Sequence, residues 1–118
     1  KNKSYKVGAF INFSPEDYIR LIYNSKCLVG NSSSGIRESS YMGIPVVNIG
    51  SRQQNRERGK NVVDVRNKKS DIFRAINKQS MKTKFKKNYL YGDGKSGKRI
   101  LNILIKSKIF KVKYLNYL

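Results

Sequence analysis

A short apolar run, Cys27-Leu28-Val29-Gly30, gives way to the polar cluster Asn31-Ser32-Ser33-Ser34-Gly35, and a second apolar run from Pro45 to Gly50 follows at the spacing of a β-α-β unit. The pattern predicts a strand, a tight turn, a short helix and a second strand. In such a unit the helix N-terminus faces outward at the carboxyl end of the sheet. Unpaired backbone N–H groups and the positive end of the helix dipole are exposed there and favour an anion.

The flanks extend the same alternation. Lys6 to Phe13 is apolar and aromatic enough for a strand. Ser14-Pro15-Glu16-Asp17 then predicts a helix start, with Ser14 as cap, Pro15 at the first helical position and Asp17 where a capping-box acid belongs. Tyr18, Leu21, Ile22 and Ser25 share one face of that helix, which is expected to pack on the sheet. Beyond Gly50 a polar segment carries Arg52, Arg56 and Arg58, and Asn61 to Val65 reads as a further strand. A helix opened by Ser70 or Asp71 puts Ile72, Ala75, Ile76 and Gln79 on one face. Ser80 to Asn88 reads as a basic loop and Tyr91 to Gly94 as a turn. Lys95 to Lys108 reads as a helix with Ile100, Leu101, Leu104 and Ile105 as its buried stripe. Alternation of this kind predicts an α/β fold with a mostly parallel, Rossmann-like sheet. Residues 1–105 are expected to form part of one domain, and 106–118 a basic C-terminal tail.

Charge limits the partners. The 26 Lys and Arg against 7 Asp and Glu give a formal net charge of +19, and there is no His. Such a balance fits an anionic partner, nucleic acid included, or simply a solvated basic surface. The basic residues lack the aromatic interleaving of a single-strand binding platform, so nucleic acid is the weaker candidate. Cys27 has no second cysteine to pair with and sits in an apolar strand, as a buried structural thiol does. No apolar run approaches the roughly 20 residues that span a bilayer, and the first residues lack the apolar core of a signal peptide. A cytoplasmic protein without a membrane partner is expected. The opening Lys1, in place of a methionine, suggests a piece of a longer protein.

Three roles are open to the serine turn. As a phosphate cradle it offers the Ser32 and Ser33 hydroxyls with the N–H groups of Ser34 and Gly35, the glycine letting a ligand approach. As a cap it satisfies only its own helix. As a nucleophile it fails, because no His is available to activate a serine. Glu38, about one turn further on, either complements the helix dipole or accepts hydrogen bonds from both hydroxyls of a ribose. Arg52, directly after a strand end, can reach a phosphate held at the same sheet edge. A solvated loop is the reading for Arg56 and Arg58. The fingerprint GxGxxG is absent, so no nicotinamide or flavin cofactor is expected. Without His or paired cysteines, neither is a metal. GDGK at Gly92 to Lys95 resembles a phosphate loop only in part, and a helix-start turn is the stronger reading.

Taken in order, GNSSSGIRE (Gly30–Glu38), GIPVVNIG (Gly43–Gly50), the arginine segment from Ser51 into NVVDV (Asn61–Val65) and LYGDG (Leu90–Gly94) resemble the UDP-N-acetylglucosamine 2-epimerases from Phe13 to Leu104. GNSS followed by an Arg-Glu pair is similar to the hydrolysing branch, which feeds sialic and legionaminic acid synthesis. The resemblance implies the later part of the second domain of a two-domain GT-B-type fold. It implies that Ser32 and Ser33 bind the diphosphate of a UDP-sugar, Glu38 the ribose hydroxyls and Arg52 the nucleotide, with Asn12 and Phe13 beside the uracil. It also implies loss of UDP from C1 with removal of the C2 proton, then hydration to a free 2-epimerised N-acetylhexosamine such as ManNAc. The catalytic residues are expected in an N-terminal part outside this chain, so this part alone is expected to be inactive. The whole protein is a candidate homo-oligomer. A GT-B glycosyltransferase-like UDP-sugar domain and a basic nucleic-acid module are the alternatives.

Overall fold

The computed structural model describes residues 6–107 of the 118. Helix α1 (Pro15–Asn24) begins as the sequence requires: the Asp17 N–H donates to Ser14 Oγ at 3.1 Å, and Ser14 Oγ donates back to the Asp17 carboxylate at 2.8 Å. Strand β1 (Leu28–Gly30) leads into a 3-10 turn (Ser33–Gly35) and the short helix α2 (Glu38–Met42). Strands β2 (Val46–Ile49) and β3 (Val62–Val65) follow, then helices α3 (Lys69–Ser80) and α4 (Ser96–Lys106). The sheet runs β1-β2-β3 and is parallel throughout, with Leu28 opposite Val46 and Val46 opposite Val62. The α/β, parallel-sheet reading of the sequence therefore holds.

The core is small and centred on β2. Ile22 from α1, Ile36 and Ile44 from the two ends of the α2 crossover, Val46 and Val47 from β2 and Ala75 from α3 are its buried apolar side chains. Polar side chains fill the seam between α2, β2 and α3. The Gln79 side-chain amide donates to the carbonyls of Val46 and Asn61 at 3.0 and 2.9 Å, and the Asn61 amide donates to the Ile44 carbonyl at 2.8 Å. The Ser40 hydroxyl, equally buried, donates to Ile36 O at 2.7 Å. These three side chains thus donate to backbone carbonyls inside the seam, whereas the buried Ser39 hydroxyl finds no partner among the described residues.

Helix α2 stops at Gly43, whose φ of +71° is the left-handed conformation that ends helices and suits glycine. Here the segment before Tyr89 crosses the helix end. The Phe85 N–H donates to Gly43 O at 2.8 Å and the Asn88 N–H to Ser40 O at 3.1 Å. The stretch read as an unstructured basic loop is thereby stitched to α2 by its backbone, while Lys84 lies over the Tyr23 ring at 3.2 Å.

Two expectations fail, for one reason. Lys6 to Phe13 forms no strand, and Val7, Phe10 and Ile11 are exposed. A strand exists through its hydrogen-bonded neighbour, and β1 pairs only with β2 among the described residues. Helix α4 forms as predicted, yet none of its residues is buried, and Ile100, Leu101, Leu104 and Ile105 remain in water. Amphipathic spacing sets which face is apolar, but only a packing partner buries it. On α1, Ile22 is buried and Tyr18 half-buried, whereas Leu21 is exposed, because α1 packs chiefly against α2. The tail read from Lys106 onward lies, beyond residue 107, outside the described residues.

Candidate functional site

The serine turn is more self-contained than its sequence suggests. Ser32 Oγ accepts from the Ser34 N–H at 3.4 Å, the Gly35 N–H bonds Ser32 O at 3.1 Å, and the Ile36 and Arg37 N–H groups share Ser33 O, each at 2.9 Å. The backbone donors of Ser34 and Gly35, read as phosphate ligands, are spent inside the turn. Gly35 faces the sheet, since a Cβ there would stand 3.1 Å from the Val46 side chain. Its bareness serves close packing of the turn on β2 and not the approach of a ligand.

What the turn still offers is hydroxyls. Ser34 is buried, and its Oγ lies 2.8 Å from the Tyr18 hydroxyl and donates to Ser32 Oγ at 2.9 Å. With the Ser34 proton directed at Ser32, Tyr18 is the donor to Ser34. Ser32 Oγ then accepts twice, and its own proton is left to point away from the turn. Ser32 is exposed and Ser33 half-buried, and the Ser33 hydroxyl meets no protein partner among the described residues. Both are donors suited to an anionic oxygen.

Two open clefts begin at either end of this turn. The first, of about 480 Å³, is lined by Gly30, Asn31, Ile49, Gly50, Arg52 and Asn67, and so gathers the chain just beyond the carboxyl ends of all three strands. This is the place where open parallel sheets hold ligands. The second, of about 510 Å³, contains Arg37 and Glu38 together with Tyr41 and the Tyr91–Gly94 turn. Arg52 and Glu38 therefore stand in separate clefts, not in a single cavity, and Ser32 and Ser33 lie between the two in the chain while lining neither. Asn12 and Phe13 line neither. Asn12 Oδ1 accepts from the Phe13 N–H at 2.9 Å, and the Phe13 ring packs 4.9 Å from that of Phe10, just ahead of α1.

The arginine loop is fastened where a solvated loop was read. Arg58 Nε donates to Asp64 Oδ2 at 2.8 Å and Arg58 Nη2 to Gln53 O at 2.7 Å, while Nη1 meets Arg56 O. Asp64 also receives the Asn48 side-chain amide at 2.6 Å. Gln53, buried, donates to Asn31 O at 2.8 Å. A continuous path thus runs from β2 and β3 through Arg58 and Gln53 to the residue that opens the serine turn, and it holds the loop bearing Arg52 against that turn. A charged Asp64 inside an apolar strand sequence is the signal that called for such a partner. Arg58→Ala should cost about 1–2 kcal/mol, discounted because Asp64 is half exposed, and Arg58→Lys should recover only part of it. Thermal denaturation checks this; a fully stable Arg58→Lys protein would mean that charge alone suffices.

Titration behaviour follows the same contacts. Burial pushes the Cys27 thiol up, opposed by a backbone hydrogen bond to Val47, so it remains a protonated apolar group at neutral pH. Arg99 grips Asp93 with two bonds of 2.8 and 2.6 Å and holds its carboxyl below the usual carboxylate range, with the Lys95 N–H adding to the effect. Among the described residues no cluster of three or more potential metal ligands occurs, and no helix is long and apolar enough to cross a membrane.

Comparison with known proteins gives a consistent result. Residues 2–105 match the family described as UDP-N-acetylglucosamine 2-epimerase. A Legionella pneumophila UDP-N,N'-diacetylbacillosamine 2-epimerase (hydrolyzing) is 41% identical over 75% of this chain and 23% of its own length. The Escherichia coli polysialic acid biosynthesis protein P7 is 38% identical over 90% of this chain and 29% of its own. A Neisseria meningitidis UDP-N-acetylglucosamine 2-epimerase is 35% identical over 80% and 25%. The chain spans about a quarter of the length of these relatives.

Proposed function

The chain belongs to the UDP-N-acetylglucosamine 2-epimerase family, and from that premise we propose that it is the UDP-binding part of a hydrolysing UDP-N-acetylhexosamine 2-epimerase. The observation that carries this reading is the serine turn at the carboxyl edge of the sheet, with outward hydroxyls on Ser32 and Ser33 between a cleft holding Arg52 and one holding Glu38. Ser32 and Ser33 donate to the diphosphate, Arg52 approaches the nucleotide from the β2 end, and Glu38 accepts from the ribose hydroxyls. Asn12 and Phe13 stand on the uracil side. Two of these relatives are named as 2-epimerases, one of them as hydrolyzing, which supports the hydrolysing branch.

In the reaction proposed, a base takes the proton at C2 of the sugar while the C1–O bond to UDP breaks, leaving a C1–C2 double bond and UDP. Water then adds across that bond, hydroxyl to C1 and proton to the opposite face of C2, and the free 2-epimer is released. Charge accumulates on the departing diphosphate, and preorganised donors such as the serine hydroxyls and Arg52 stabilise it most where it develops. The acid and base are not among the residues assigned here, and catalysis belongs to the whole protein. Residues 1–105 act as the nucleotide-binding unit, with 106–118 as a basic extension. A cytoplasmic location and a homo-oligomeric whole protein complete the proposal.

Product analysis of the whole protein with UDP-N-acetylglucosamine tests it. Free ManNAc and UDP are expected, with one solvent deuterium incorporated at C2. UDP-ManNAc as the product would indicate a non-hydrolysing enzyme, and sugar transferred to an acceptor would indicate a glycosyltransferase; either overturns the assignment.

A further inference from the structure

The Tyr91–Gly94 turn has no role in the function proposed above, yet it forms a wall of the cleft that contains Glu38. It is held from several sides. Asp93 is gripped by Arg99 through both carboxylate oxygens and accepts from the Lys95 N–H at 3.0 Å. The Tyr91 hydroxyl donates to Glu57 O at 2.7 Å, which ties the turn to the arginine loop. Just before it, Asn88 bonds the backbone of α2, and the Tyr89 ring meets that of Tyr41 edge-on at 5.6 Å. Gly92 and Gly94 have φ of +122° and +78°, and a Cβ at either would meet no atom within 4 Å. Neither glycine is needed for packing. Each supplies a backbone conformation that side chains disfavour and leaves bare main chain facing an open cleft, the surface a ring-shaped polar ligand can approach closely.

Across the same cleft Glu38 enters no ion pair among the described residues, whereas Asp93 is committed to Arg99. The cleft thus holds one carboxylate turned inward to fix a wall and another left to take hydrogen bonds from a ligand. Resting on the reading that Glu38 holds the ribose of UDP, we propose that the Tyr91–Gly94 turn is the opposing wall of the ribose subsite. The sugar ring lies against the main chain of Gly92 and Gly94 while its vicinal hydroxyls bond Glu38. The Asp93–Arg99 fork is a positioning device: it touches no ligand and fixes where the wall stands.

Two probes separate this from the reading beneath it: UDP, which has a ribose, and inorganic pyrophosphate, which does not. In amide NMR titrations of the protein, UDP should shift the resonances of Glu38, Gly92 and Gly94 together with those of Ser32 and Ser33, and pyrophosphate should shift those of the serines alone. Asp93→Asn should weaken UDP binding about 5- to 10-fold without changing pyrophosphate binding, and Asp93→Glu should restore part of the loss. UDP shifts at Ser32, Ser33 and Glu38 with Gly92 and Gly94 unmoved would overturn the wall and keep the nucleotide site. Shifts of both glycines by pyrophosphate would also overturn it, making the turn an anion contact. UDP shifts at none of these residues would overturn the site assignment itself. The unmodified protein suffices for these spectra, so a misfolded variant does not blunt the test.

Discussion

Glu38→Ala should lower UDP affinity about 10- to 100-fold and leave the fold intact, the range expected when hydrogen bonds to one charged group are lost. Its side chain is exposed and enters no ion pair among the described residues, so the fold loses nothing measurable with it. A carboxylate that accepts from two ribose hydroxyls is hard to replace, because water entering the cleft satisfies the hydroxyls without supplying the charge. Ser33→Ala should act in the same direction and more weakly, about 10-fold, as one hydroxyl donor to an anionic oxygen disappears. Ser34→Ala is the control with the opposite signature. Its buried hydroxyl links Tyr18 to Ser32, so its removal should appear first as lost stability. Calorimetric titration of UDP alongside thermal melts separates the cases. Unchanged affinity in both Glu38→Ala and Ser33→Ala would sink the site assignment.

The largest effect on stability is expected at Gly43. A Cβ there would lie 2.1 Å from the carbonyl oxygen of Phe85 and 2.9 Å from its carbon, both of them backbone atoms that cannot swing aside. Alanine at φ +71° adds the cost of the left-handed region. The Phe85 N–H to Gly43 O bond would break as the strands of chain separate, and with it the stitching of residues 82–89 onto α2. Gly43→Ala should therefore cost roughly 3–5 kcal/mol, strain and overpacking together. A core with so few buried apolar side chains among the described residues has little to spare for such a loss. Urea denaturation measures it directly, and a cost below about 1 kcal/mol would mean that the 82–89 segment adds nothing to the fold.

Wherever structure follows from near neighbours in the chain, the sequence revealed it. Ser14, Pro15 and Asp17 announced the start of α1 because a cap is made by residues three apart. The spacing of Leu28–Gly30 and Val46–Ile49 announced a parallel pair because a helix-bearing connection of that length carries the chain back to the starting edge of the sheet. What escaped depends on partners distant in sequence. Among the described residues the Lys6–Phe13 segment has the composition of a strand but no neighbour to pair with, and α4 has an apolar face that none of them buries. Arg58 looked like a solvated charge although its acceptor Asp64 is only six residues on, because the loop has to fold back onto β3 to bring the two together. The serine turn shows the same division at finer scale. Three hydroxyls before a glycine marked it as a site, but it is the folded turn in which the N–H groups of Ser34 and Gly35 are spent on closure and Gly35 faces Val46.

A crystal structure of the protein with UDP bound would show whether the serine turn with Glu38 is the handle for a departing UDP. Diphosphate oxygens should lie within about 3 Å of the Ser32 and Ser33 hydroxyls, with the ribose hydroxyls on the Glu38 carboxylate. Nucleotide bound elsewhere, with the serine hydroxyls and Glu38 untouched, would contradict it.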